Sequence, residues 1–204
     1  MKPSLSPFKM YGTPFTTRSI MVGGGLAFLV FLVLAYVFFN EQEMPQNGTL
    51  MQRIQFISPN VTEVHEISDR IEIAYLNKNA NSSAGWFDDF FMEALHISRN
   101  LRRAGKGKQF AEIAFMVQVP SGKGDSFTGS SLGMKVFYDG KILQNADLIT
   151  MDQYQFAEMA RQVHYQRLGR IKAQEYCNES AGYKRTPHLC GFLVEGYIKG
   201  RRLN

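Results

Sequence analysis

Ile20–Phe39, IMVGGGLAFLVFLVLAYVFF, is a run of twenty residues without a charge, and its reading sets the architecture expected of the whole chain. At about 1.5 Å of rise per residue, a helix of that length just crosses a hydrocarbon core of roughly 30 Å. A cleaved signal peptide has a shorter apolar region, about 7–15 residues, followed by small residues. This run ends instead in Tyr36, Val37, Phe38 and Phe39. The expectation is a retained transmembrane helix over 20–39, with Gly23 and Ala27 as a small-residue pair suited to close helix packing.

The flanks give an expected orientation. Residues 1–19 carry Lys2, Lys9 and Arg18 with no acid, and the far side begins with Glu41 and Glu43. The positive-inside rule then places the tail in the cytoplasm and the rest of the chain outside it, most simply in a bacterial periplasm. Most of the formal net charge of +5 belongs to that tail, so nucleic acid is not an expected partner. With no ionisable group in the run, ion or proton coupling is not expected of it either.

Outward from the run, 40–49 reads as a short linker and 50–204 as a single α+β domain, with a mixed or antiparallel sheet and two main helices. Leu50–Ile57 reads as a modest strand. Val61, Val64, Ile67 and Ile71 recur at helical spacing after Ser58-Pro59, whereas Ile71, Ile73 and Tyr75 alternate, so a short helix giving way to a strand is expected. Trp86–Arg103 reads as a helix with Phe87, Phe90, Phe91, Ala94 and Leu101 on one face and Arg99, Arg102 and Arg103 in its last turn. Gln109–Val119 alternates as a strand, and Ser121–Ser131 is a polar loop. Asp139-Gly140 marks a hairpin turn between Met134–Tyr138 and Lys141–Gln144. Thr150 and Gln153 suggest a capping box opening a long helix to about Tyr176, and Phe192–Ile198 reads as a final strand.

From Ile71 onward that order matches the ferredoxin-like split βαβ arrangement. With Val61–Leu76 helical, the front half would instead resemble the order of small polypeptide-transport-associated domains.

Chemistry-bearing motifs are sparse. His65, His96, His164 and His188 lie on separate segments and no H-E-x-x-H occurs, so neither a metal nor a catalytic residue is expected. Lys123 is followed by Gly124 rather than Ser or Thr, which excludes a P-loop. No cofactor is expected. Cys177 and Cys190 are expected to form a disulfide in an oxidising compartment. Arg99, Arg102, Arg103, Lys106 and Lys108 form a candidate basic patch, and Asn47, Asn60, Asn81 and Asn178 stand in N-x-S/T sequons.

The expected function is a single-pass, non-enzymatic assembly component of an envelope complex of the secretion, conjugation, pilus or division type. It would act through contacts with the lipid bilayer, with other envelope proteins or with copies of itself, and Leu50–Ile57 or Trp86–Arg103 would supply the partner surface. The rival readings are a membrane-tethered envelope hydrolase and a glycosylated type II membrane protein.

Overall fold

A computed structural model of the chain describes residues 43–78, 82–121 and 129–199. The chain divides into two compact units, and the one described runs from Glu43. It is an α+β fold, α1(Leu50–Ile57), β1(Val61–Ile67), β2(Arg70–Leu76), α2(Ser83–Arg103), a 3-10 turn at Gly107–Gln109, β3(Glu112–Ser121), β4(Gly129–Asp139), α3(Gly140–Asn145), α4(Gln153–Glu158), β5(Gln162–Tyr165), α5(Arg167–Asn178), α6(Ser180–Arg185) and α7(Pro187–Lys199).

The expected membrane architecture is corrected here. Residues 20–39, with Gly23 and Ala27, lie outside the described residues, and no helix among the described residues is long and apolar enough to cross a membrane. The longest of them, α2, carries Asp88, Asp89, Glu93, Arg99, Arg102 and Arg103, a charge load that hydrocarbon does not accept. The single-pass anchor and the orientation built on it are therefore withdrawn.

The five strands form one mixed sheet in the order β1-β2-β3-β4-β5, so spatial order repeats chain order. β2 and β3 are parallel and directly adjacent, with Ile73 opposite Phe115, and α2 is the crossover between them. All other neighbours are antiparallel. This replaces the ferredoxin-like expectation, because a split βαβ unit would hold another strand between β2 and β3. The single final strand and the two-main-helix count go with it, since β5 is followed by three helices that end the described chain.

The helices pack on one face of the sheet. Ile71, Ile73 and Tyr75 of β2, Ile113, Phe115 and Val117 of β3, and Met134, Val136 and Tyr138 of β4 join Trp86, Phe87, Phe90 and Leu101 of α2 in one core. At about 1.5–3 kcal/mol for each large apolar side chain buried, this face dominates the stability of the unit. α5 closes onto the same face through backbone contact. A Cβ on Gly169 would lie 1.9 Å from the Gly133 carbonyl oxygen, so a helix can sit there only with glycine at that position.

Several local expectations are overturned. Leu50–Ile57 is a helix: Thr49 and Gln52 form a capping box, and Ile54 and Ile57 face the core. Val61–Leu76 is a hairpin turning at Ser68, whose φ of 55° lies in the left-handed region, so the helical spacing there is incidental. Asp139 does not turn a hairpin. Its carboxylate accepts from the Lys141 and Ile142 amides and starts α3. The expected long helix is broken into α4, β5 and α5, with the capping box at Asp152 and Gln155 rather than at Thr150. Phe192–Ile198 is helical, within α7, which Pro187 opens.

Candidate functional site

Strand alternation sends every second residue to the face that carries no described helix. Cross-strand pairing puts Arg70, Glu72 and Ala74 of β2 beside Glu112, Ala114 and Met116 of β3, then Phe137 and Lys135 of β4 and Gln162 and His164 of β5. Glu63 and His65 of β1 complete the row. A polar belt thus crosses all five strands.

Its charges are paired with one another. The Arg70 guanidinium pairs with the Glu112 carboxylate and lies 3.5 Å from that of Glu72. Lys135 Nζ donates to Glu72 Oε1 although β3 runs between their strands. Adjacent strands lie about 4.8 Å apart, so the lysine must reach across β3, and the small Ala114 at the crossing leaves room for it. His65 lies 3.1 Å from Glu63 on the exposed β1.

Phe137 anchors the middle of the belt. Its ring lies beneath the Arg70 guanidinium at 5.6 Å and the Lys135 ammonium at 5.2 Å, and it meets the His164 imidazole edge-on at 4.9 Å. The long side chains around it leave Phe137 only 5 % exposed and Glu72 8 % exposed. Partial burial, with Lys135 and Arg70 nearby, lowers the His164 pKa from its usual value and favours the neutral ring.

Of the basic residues singled out in the sequence, Arg99 and Arg102 are engaged with backbone carbonyls. Arg99 donates from Nε to the Leu148 carbonyl at 2.7 Å and from Nη2 to those of Ile149 and Met151. Arg102 donates to the Ala146 carbonyl. Both pin the segment between α3 and α4 to the last turns of α2. Arg103 is exposed and Lys106 half-buried beyond them, and the side chain of Lys108 lies outside the described set. The α2 helix buries Trp86, Phe87 and Ile97 fully, while Met92 on it stands 55 % exposed.

Cys177 and Cys190 are joined in a disulfide that staples α5 to α7, with Cα atoms 5.6 Å apart. The α7 N-terminus is held from α4, because the Glu158 carboxylate accepts from the amides of His188 at 3.0 Å and Leu189 at 2.9 Å. Of the remaining histidines, His96 is half-buried in α2, and His188 meets the Phe192 ring edge-on.

Among the described residues no group of three His, Cys, Asp or Glu side chains is placed to hold a metal ion. A cleft lined by Ser98, Leu101, Ile113, Leu143 and Leu148 is largely apolar and admits little more than a water molecule. The belt itself was not legible as a site in the sequence, since its residues come from five separated strands. The alternation of charge with apolar residues in RIEIAYL was the available signal.

Three comparisons with known proteins add no family: no protein-family model matches the chain, and neither a curated protein nor a solved structure matches it.

Proposed function

We propose that this domain is a structural or assembly component of a multiprotein complex and works through protein–protein contacts rather than through a chemical step. The observation that carries the reading is the sheet face that bears no described helix, where Arg70, Glu72, Glu112 and Lys135 neutralise one another instead of converging on an open cavity. A catalytic constellation needs titratable groups aimed at a space where a substrate atom can sit. A contact surface needs a broad, stiff, partly apolar platform. The belt offers the latter, with Met116 half-buried beside it and Ile67 51 % exposed at its β1 end.

The test is in-cell cross-linking of the full-length chain, followed by purification of its neighbours, with Ile67→Lys and Met116→Lys as face variants. The expected result is a fixed set of neighbours that both variants lose while keeping the wild-type melting temperature. An unchanged set in both variants, or a chain with no reproducible neighbour, would overturn the reading.

A further inference from the structure

The two outer strands of the sheet are unlike in charge. β1 carries Glu63 and Glu66 with Asp69 just beyond it, and no Lys or Arg. β5 is bracketed by Arg161 and Arg167 and carries no acid. Each strand is paired on one side only among the described residues. Each also keeps a half-buried valine on the helix-bearing face, Val64 opposite Ile73 and Val163 opposite Val136.

Strand directions make these edges compatible. β1 is antiparallel to β2, β2 parallel to β3, β3 antiparallel to β4 and β4 antiparallel to β5. β1 therefore runs opposite to β5, and a second copy laid beside the first with its helices on the same side would pair the two strands antiparallel. Side-chain period two allows only registers that keep helix-side residues opposite helix-side residues. Setting Val163 against Val64 of the neighbouring copy places Arg161 opposite Glu66 and His164 opposite Glu63. A slip of two residues either way loses these pairings together.

We propose that the chain self-associates head to tail, the β5 edge of one copy adding to the β1 edge of the next in that register. The contact is heterologous, so it builds rings or open filaments rather than a closed two-fold dimer. Pairing β1 with β1 about Val64 sets Glu66 opposite Thr62, and pairing β5 with β5 about Val163 sets Arg161 opposite Tyr165, so only the heterologous edge pair gives Glu66 an arginine partner. This inference extends the contact-module reading by naming one partner, a second copy of this chain.

The test uses the full-length chain in sedimentation velocity across a concentration series, with E66R, R161E and the double variant E66R/R161E. Both positions are exposed, and a circular dichroism melt verifies that each variant is folded. The wild type is expected to form species larger than a dimer that grow with concentration. Each single variant is expected to associate at least tenfold more weakly, and the double variant to recover. An equimolar mixture of the two single variants has the native charge pair at one junction and the charge-reversed pair at the next, and is expected to recover the larger species by alternating. A wild type that stays monomeric, that halts at a dimer, or that associates equally in all variants would overturn the proposal. If that monomer still loses its cross-linked neighbours on Ile67→Lys, the contact-module reading stands while self-pairing falls.

Discussion

Replacing both bridged cysteines, Cys177→Ala with Cys190→Ala, removes a covalent tie across a separation of 13 residues. For a closed loop of about 14 residues, the chain-entropy relation assigns the unfolded state a gain of about 10 cal/mol/K, or about 3 kcal/mol near room temperature. The folded state keeps several other holds on α7. Leu189 and Leu193 stay in the core, Glu158 caps the helix, and the Thr186 hydroxyl donates to the Tyr176 phenol oxygen at 3.1 Å. The variant is therefore expected to fold and to lose about 3 kcal/mol. For a domain of this size, about 2–4 °C per kcal/mol translates that into a melting temperature lower by about 6–12 °C. Denaturant unfolding measures the loss, and native-state hydrogen exchange locates it. Amides of α5 and α7 should gain openings that those of β3 and β4 do not. A stability within about half a kcal/mol of the wild type, or faster exchange spread evenly over the sheet, would refute the loop-entropy account.

Three further outcomes follow from single groups. Gly169→Ala drives a methyl into the Gly133 carbonyl and should cost about 1–3 kcal/mol by calorimetry, more than an alanine in the first turn of a helix would otherwise change. Tyr138→Phe removes a fully buried hydroxyl for which no hydrogen-bond partner is found, so stability should be unchanged or higher by about 1 kcal/mol in denaturant titration. His164 has a folded pKa below its unfolded value of about 6.5, so the unfolded state takes up its proton first as pH falls. Its contribution is complete above that unfolded value and declines as pH drops through it toward the folded pKa. His164→Gln should flatten this part of the stability–pH curve, and an unaltered curve would exclude the assignment.

The helix over 86–103 and the strand over 109–119 were legible because their cues are local and agree. In α2, an apolar stripe of aromatic residues, acids near the start and arginines at the end all point the same way. Where cues conflicted, the surroundings decided. Thr49 and Gln52 spell a capping box, and Leu50, Ile54 and Ile57 lie at helical spacing, yet the short apolar run reads equally well as a strand. Asp139-Gly140 satisfies the rule for a tight hairpin, but β4 already has β3 and β5 as neighbours, so the aspartate caps a helix instead. β5 is four residues long and sits between two helices, and no periodicity can identify a segment that short. The belt escaped notice for a related reason. Lys135 and Glu72 are 63 positions apart in sequence, and only the adjacency of β2, β3 and β4 brings them together.

The agreement between chain order and sheet order bears on how the molecule is made. As the polypeptide leaves the ribosome, every strand finds its neighbour in the strand synthesised just before it, with α2 intervening between β2 and β3 and the short α3 and α4 between β4 and β5. Nearest-in-sequence pairing keeps loop closure short and favours rapid folding. It also means that the growing edge of the sheet is open at every stage of synthesis, first at β2, then β3, then β4. The four-residue β5 ends that growth with a short edge, and the stapled helices α5 and α7 are the last to close over the core.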